Sequence, residues 1–460
     1  MAAMIPDPEQ EAVIASITPE TTGSLIAGDM GTGKTLIGTE IIKRRGHERV
    51  LIICPKSTRG TAKGTHGWAG TLRQQGVALP ITIVKNRDHL PQGPFTSGVW
   101  IVTRESVAAY RRETKTKPGY DWGAARWGTV VYDEIHAIAN RKSQAFDAAC
   151  EISSELRIGL SGTPFRTRFS GLWSVTRWLW PDKVQPGFGS WAHKWARVEN
   201  LVIMRGGRQK KVWITNFEKS PGAYVAALPN YHRLTRTRRA VFRELEVDLT
   251  PEQKRMYEHM KAKMLARVEG GILVADLPIT QRQRLREMTL GTLSIDAEGK
   301  PYYEVDTKSA KLDALAEYLD GHPADEAPVL VFTHSKKFAK IAALRFPGAE
   351  LWTGDTPDAE REAIKERFLA GESHLLFATI DSFGTGTDGF QERSSTVIFL
   401  SRSESPTDND QAIGRLDRRG QDNEMVLVLD IVARDTYDQE HLLAQNAKLN
   451  AAQRTMKGTK

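Results

Sequence analysis

The sequence predicts an α/β protein of two similar lobes, each a parallel sheet flanked by helices, with a mostly helical basic insertion between them. Three observations lead there. Short apolar runs alternate with helical stretches up to residue 182, and the alternation resumes near Thr307. Residues 28–35 read Gly-Asp-Met-Gly-Thr-Gly-Lys-Thr, the full G-x-x-x-x-G-K-[ST] phosphate-loop pattern, set between a strand-like and a helix-like run. Polar residues fall at the carboxyl ends of the apolar runs, where an open α/β sheet binds ligands. The expected division is 1–182 for the first lobe, 183–305 for the basic insertion, 306–445 for the second lobe and 446–460 for a mobile basic tail.

A chain of 460 residues can bury the cores of two or three domains. With 40% hydrophobic and 26% charged residues it has a soluble globular balance. No apolar run approaches the roughly 20 residues of a spanning helix, and Met1–Gln10 has neither a basic nor an apolar leader region, so a cytoplasmic protein is expected. The two cysteines, Cys54 and Cys150, exclude a zinc ribbon or a disulfide framework. Net charge is +8, and it is concentrated. Between Leu201 and Arg243 ten cations face the single acid Glu218, a local +9, leaving −1 for the rest. A solvated face explains short charge runs. A block this one-sided repels itself unless an anion lies against it, which favours nucleic acid.

Taken in order, Asp7-Pro8-Glu9-Gln10 opens a short amphipathic helix, and the Gln10 carboxamide, both donor and acceptor, is a candidate for an adenine edge. Ser24–Ala27 reads as a buried strand and Leu36–Ile42 as a helix. Between them Gly28, Asp29, Met30, Gly31, Thr32 and Gly33 form the loop that lets backbone N–H groups converge on phosphate oxygens at a helix N-terminus. Lys34 is placed to reach the β- and γ-phosphates of a nucleotide and Thr35 to hold Mg²⁺. Arg49–Cys54, the weaker Ile81–Val84, Val99–Thr103, Thr129–Asp133 and Leu156–Leu160 are further strands. The fourth of these ends in Asp133-Glu134. One acid there can complete a Mg²⁺ shell and the next can deprotonate an attacking water, although a helix cap and a surface charge read equally from two acids alone. The H-E-x-x-H zinc pattern is absent, so His136 is not a metal ligand.

Six tryptophans lie between Trp173 and Trp213, and packing explains them better than base stacking. Val241–Leu249 alternates as a strand, and Thr250-Pro251-Glu252-Gln253 is a capping box that starts a helix. Beyond Thr307, Ser309 caps a helix with Leu312, Leu315 and Leu319 on one face. Strands follow at 328–332, 374–379 and 396–400, with a glycine-rich turn, Gly384 to Asp388, and no second phosphate loop. In Gln411–Gln421, Arg415 and Arg418 stand three apart on an expected helix and so share a face. Guanidinium groups there match phosphate oxygens, while a solvent-facing basic helix fits the same residues.

At this point the chain resembles the superfamily 2 helicase-like motors, specifically the SNF2-type DNA translocases, over nearly its whole length. Residues 28–35 are similar to their first motif, Asp133-Glu134-Ile135-His136 to their DExH second motif, and Leu160-Ser161-Gly162-Thr163-Pro164 with Gly171-Leu172-Trp173-Ser174 to their third. Val247–Gln253 with Tyr257 resembles the wording before their second lobe, and Gln411–Gln421 their Q-A-x-x-R-x-x-R-x-G-Q sixth motif. The resemblance implies two RecA-like lobes, ATP and Mg²⁺ as cofactors, and a DNA-dependent ATPase that moves along double-stranded DNA. It implies Lys34 and Thr35 on phosphate and metal, Asp133 on the metal, Glu134 on water, and Arg415 and Arg418 acting on the γ-phosphate as the lobes close. Gly384, Gly386 and Asp388 of the fifth motif join the nucleotide-binding set. His136, Ser161, Thr163 and Gln411 are implied to couple hydrolysis to DNA. Lys56, Ser57, Thr103, Arg104 and Ser335 at strand ends, with Arg236, Arg238 and Arg239 of the basic block, are implied DNA contacts.

The departures from that pattern are Ile135 for the usual Ala and Asp388 for the usual Asn. Short inserts and no resemblance to a chromatin reader suggest a compact bacterial or phage-type motor, monomeric, in a bacterial cell or phage-infected host. Protein partners in a replication, repair or defence complex fit it, and a membrane does not. The alternatives are a strand-separating DNA or RNA helicase, the motor subunit of a restriction or defence complex, and a non-catalytic ATP-gated DNA clamp or scaffold. Intact Lys34, Glu134, Arg415 and Arg418 stand against the clamp.

Overall fold

The computed structural model describes residues 3–457 except 30, 62–63, 65–66, 92–93, 114–118, 166–167, 206–207, 215–216, 237–239, 323–327, 384–388 and 419–420, with backbone only at 200–205, 208–214, 448–449, 451–453 and 456–457. It divides into two compact units, Met1–Arg236 with Leu449–Lys460, and Thr237–Lys448.

The first unit is built on seven strands: β1 (Gly23–Gly28), β2 (Arg49–Cys54), β3 (Ile81–Ile83), β4 (Gly98–Thr103), β5 (Trp127–Asp133), β6 (Ser154–Ser161) and, after the hairpin β7 (Glu199–Arg205) and β8 (Arg208–Ile214), β9 (Tyr231–Leu234). Their order is β3-β4-β2-β5-β6-β1-β9, parallel throughout. Side chains alternate between two cores. Leu25, Leu51, Ile53, Val130 and Tyr132 face one, and Ile26, Val50, Ile52, Val131 and Ile158 the other. Helices cover both faces, which is why these strands read as unbroken apolar runs. Five of the six tryptophans are packed into the first core, where Trp191 stacks on Phe169 and meets Tyr224 edge-on. The side chain of Trp213 lies outside the described residues.

The second unit holds β10 (Ala240–Val247), two small hairpins, β11 (Leu265–Val268) with β12 (Gly271–Val274) and β13 (Ser294–Ile295) with β14 (Pro301–Tyr302), and β15 (Val329–Thr333), β16 (Glu350–Trp352), β17 (Leu375–Thr379), β18 (Thr396–Phe399) and β19 (Val426–Ala433). Six of these make a parallel sheet in the order β10-β19-β18-β15-β17-β16. Val331, Phe377 and Ile398 face one core, and Leu330, Phe332 and Val397 the other. The Thr250–Gln253 capping box forms, and Gln253 Nε2 donates to Met288 O at 2.9 Å. Beneath this sheet Lys311 is fully buried, bonded to the Leu400 carbonyl and paired with the Asp438 carboxylate.

The boundaries differ from the expected ones. Residues 183–305 form no separate body, because β9 pairs with β1 in the first sheet while β10 pairs with β19 in the second. Nor is the segment mainly helical, since eight strands, β7 to β14, fall within it. The expected mobile tail is helix through Lys457, with Thr455 buried and hydrogen-bonded to Glu218. Among the described residues no helix is long and apolar enough to cross a membrane.

Candidate nucleotide-binding and hydrolysis site

The site in the first unit follows from strand order. β6 lies between β1 and β5, with Ala27 opposite Ser161 and Asp133 opposite Leu160. The phosphate loop after β1, the acids ending β5 and the turn after β6 therefore emerge side by side at the carboxyl edge of one sheet.

The loop is shaped by its glycines and held by an N-terminal helix. Gly33 has φ 77°, and a Cβ there would come within 2.3 Å of Gln10 Nε2. A Cβ on Gly28 would come within 2.5 Å of Thr32 Oγ1. Gln10 is buried, accepts the Asp7 N–H at 3.0 Å and donates to Thr32 O at 2.8 Å. Both ends of the carboxamide expected at an adenine edge are thus engaged within the protein, where they pin the loop. Lys34 and Thr35 begin the helix Lys34–Arg45, and the Lys34 ammonium donates to Gly28 O at 2.7 Å and Asp29 O at 3.1 Å. Burial pulls the Lys34 pKa down, against the charges of Glu134, Asp133 and Asp29, which places all three acids around it. Asp29 is itself paired with Arg233. Met30 lies outside the described residues, as do Gly384, Gly386, Asp388, Arg238 and Arg239.

Asp133 and Glu134 are consecutive but differently housed. Asp133 Oδ2 accepts the Trp68 indole N–H at 3.0 Å and the Thr58 hydroxyl at 3.1 Å. Burial and then the Glu134 charge raise its pKa, against Trp68, Lys34 and Thr58. Glu134 adopts φ 53°. Left-handed backbone is rare for a residue other than glycine and recurs where a side chain is aimed by its surroundings. Its Oε2 lies 3.1 Å from His136 Nδ1 and accepts the Ser161 hydroxyl at 3.2 Å. Burial pushes the Glu134 carboxyl up, but His136, Lys34 and Ser161 outweigh it and hold it below the usual carboxylate range. Ser161 Oγ also lies 3.0 Å from His136 Nδ1 and accepts the Thr163 N–H at 3.2 Å. His136, Ser161 and Thr163, three of the expected coupling residues, are thereby joined to the expected base.

These residues fit a nucleotide with Mg²⁺. The glycine positions where a side chain would displace Gln10 or Thr32, the buried ammonium and the helix start make an anion cradle. Among the described residues no group of three or more His, Cys, Asp or Glu side chains could cage a metal. Mg²⁺ needs no such cage, since it commonly takes one or two carboxylates, water and the phosphates themselves. Thr35 and Asp133 are the residues that would hold it.

The remaining expected residues are placed as follows. Lys56 and Ser57 lie in a short 3₁₀ turn after β2. Thr103 caps the helix Arg104–Tyr110, and Arg104 pairs with Glu105 at 2.6 Å. Ser335 caps the helix Lys336–Arg345. The Arg236 backbone N–H donates to Asp29 Oδ2 at 3.2 Å. Gln411 lies in the helix Pro406–Ile413, but Arg415 and Arg418 do not share a helical face as expected. The helix stops at Ile413 and both arginines lie in the turn beyond it, Arg415 buried and Arg418 half-buried. That turn is stitched by Leu416 N–H to Ile413 O at 3.0 Å and by Gln421 Nε2 to Ser394 O at 2.9 Å.

Sequence reasoning missed Thr58, Trp68 and Arg233. The first two orient Asp133 from 75 and 65 residues away, and no local pattern marks them. Arg233 was counted with the basic block, but its charge is turned inward onto Asp29.

Comparison with known proteins matches most of the chain to two described families. Residues 12–287 match the family described as the SNF2-related domain, and residues 310–420 the Helicase conserved C-terminal domain. The chain is 22% identical to a "Probable global transactivator" of Orgyia pseudotsugata multicapsid polyhedrosis virus, a match covering 93% of this chain and 85% of that one. It is 23% identical to Protein CHROMATIN REMODELING 24 of Arabidopsis thaliana, covering 90% of this chain and 42% of that protein, so it spans less than half of that relative's length. Among solved structures it matches a Sulfolobus solfataricus SWI2/SNF2 ATPase core in complex with dsDNA, at 18% identity and TM-score 0.41, covering 99% of this chain and 94% of that one. With the first family match alone spanning more than half of its length, the chain belongs to the SNF2-related family of helicase-like ATPases.

Proposed function

We infer that the protein hydrolyses ATP with Mg²⁺ and uses the cycle to move along double-stranded DNA without separating its strands. The observation that carries the hydrolytic half is the convergence of Lys34, Asp133 and Glu134 at one sheet edge, with Glu134 tied to Ser161. ATP bound in the loop would supply the γ-phosphoryl group, with Mg²⁺ to neutralise it. Lys34 would bind the phosphate oxygens, Thr35 and Asp133 would hold the metal, and Glu134 would orient the attacking water and accept its proton. Arg415 and Arg418 are assigned to the γ-phosphate, where such groups are worth about 10³–10⁵ in rate.

The DNA half rests on family membership and on the basic segment around Arg236, Arg238 and Arg239. The ATPase rate should be measured without nucleic acid and with duplex DNA, single-stranded DNA and RNA, alongside triplex displacement and strand separation. Duplex stimulation with triplex displacement and no strand separation is expected. Strand separation, or stimulation by RNA alone, would replace this reading with a helicase, and no ATP turnover under any condition would replace it with a clamp.

A further inference from the structure

An acid in the middle of an anion cradle is a physical problem. Asp29, the second residue of the phosphate loop, carries the same sign of charge as the phosphates the loop would receive. The fold answers it with one side chain. Arg233 Nη2 donates to Asp29 Oδ1 at 2.5 Å, and both side chains are more than four-fifths buried, at 17% and 16% exposed. Two backbone bonds reinforce the link, from Asp29 N–H to Leu234 O at 3.1 Å and from Arg236 N–H to Asp29 Oδ2 at 3.2 Å. Arg233 Nη1 also reaches Ala27 O at 3.3 Å and Gly162 O at 3.5 Å. One guanidinium therefore touches the end of β1, the phosphate loop and the Ser161-Gly162-Thr163 turn.

The place from which Arg233 comes matters as much. It sits on β9, the edge strand that pairs with β1. The first segment of the first unit, Met1–Arg236, ends two residues after β9, where the chain leaves for the second unit. Asp29 holds the N–H of that last residue directly. A phosphate loop that shifts on receiving its anion must carry Asp29 with it, and Asp29 is bonded to Arg233, Leu234 and Arg236.

We propose that Arg233 is a positioning residue. It neutralises Asp29 so that the loop accepts a nucleotide triphosphate, and it fastens the loop to the segment where the connection to the second unit begins, so that nucleotide occupancy and the state of that segment change together. This rests on the nucleotide reading above.

The test is hydrogen–deuterium exchange on the full chain, with and without ADP or a non-hydrolysable ATP analogue, in the wild type, Arg233→Gln and Arg233→Lys. In the wild type, nucleotide should slow exchange in residues 28–35 and 231–236 together. In Arg233→Gln the nucleotide Kd should rise about tenfold, and at saturation 28–35 should still respond while 231–236 does not. Arg233→Lys should recover part of the second response. A merely structural role would lower protection everywhere, without separating the two segments. If Arg233→Gln fails to fold, Asp29→Ala severs the same side-chain link and the exchange readout alone is used: 28–35 should respond to nucleotide while 231–236 does not, and because the acid is removed with its partner the Kd should not rise. The proposal is overturned if 231–236 responds in Arg233→Gln as in the wild type, or if the wild type protects 28–35 alone. Absence of nucleotide protection in wild-type 28–35 overturns the nucleotide reading itself, and the proposal with it.

Discussion

The indole N–H of Trp68 donates to Asp133 Oδ2 at 3.0 Å, so the carboxylate expected to hold Mg²⁺, at the end of β5, is aimed by a fully buried tryptophan from the helix Gly67–Gln74. Partners of this kind commonly change metal affinity or activity by about 10–100-fold when removed. Trp68→Phe keeps most of the packing and loses the donor. The Mg²⁺ concentration for half-maximal ATPase should rise at least about tenfold. An unchanged Mg²⁺ titration takes Trp68 out of the metal site.

Glu134→Gln keeps the side chain's shape and removes its basicity. Turnover should fall by about 10²–10⁴ while nucleotide and DNA binding persist. Lys34→Ala should also abolish turnover, but through lost nucleotide affinity, with DNA binding again retained. Normal turnover in either variant would show that the hydrolytic residues lie elsewhere.

Neutralising Arg236, Arg238 and Arg239 together should weaken duplex binding and flatten its salt dependence. Each lost phosphate contact lowers the slope of log K against log salt by about 0.9. A slope unchanged from wild type removes this segment from the DNA path.

His334 gives the second unit a dependence on pH. Its ring lies 2.7 Å from Ser401 Oγ, and burial, with the charges of Arg286, Lys311 and His441, pushes its pKa from 6.5 to about 3, against Glu404. Between those values the unfolded chain binds the proton and the folded chain does not. Stability therefore rises with pH through that window and is lost as pH falls below 6.5. Urea unfolding should show a loss of about 1–2 kcal/mol from this group by pH 5. His334→Asn should reduce the difference between pH 7.5 and pH 5, and an equal difference in both proteins would place the acid sensitivity in other groups.

Lys311 is 1% exposed, and its partner Asp438 also accepts the Thr289 hydroxyl at 3.1 Å. Lys311→Met leaves that carboxylate without its cation and should cost about 3–5 kcal/mol in unfolding free energy. Adding Asp438→Leu should recover much of the loss. Two single-variant losses that simply add would mean that the pair is not coupled.

The central parallel strands, such as β1, β4, β5, β15 and β17, were legible because each is buried on both faces and so forms a continuous apolar run. The phosphate loop and Asp133-Glu134 were legible because their chemistry depends on residues adjacent in the chain. What stayed hidden was pairing at long range. The alternation of 241–249 marked a strand, but nothing local said that β10 joins β19 or that β9, a few residues earlier, joins β1. The arginine count of the basic block was plain, yet composition could not show that Arg233 points inward. Gly414, just before Arg415, was a local sign that the helix stops there, and the regular spacing of the two arginines masked it.

The kink at Glu134 has a consequence for how the site can be dissected. In an extended strand the two acids would project to opposite faces of the sheet. With φ 53° at Glu134, one carboxylate settles on Trp68 and Thr58 and its neighbour on His136 and Ser161, with no side-chain hydrogen-bond donor common to both among the described residues. Adjacent in sequence and both within the field of Lys34, they draw their side-chain hydrogen bonds from separate sets of residues. Damage to Trp68 or Thr58 should surface as a defect of metal loading, and damage to His136 or Ser161 as a defect of hydrolysis, which makes a two-residue motif separable into independent genetic phenotypes.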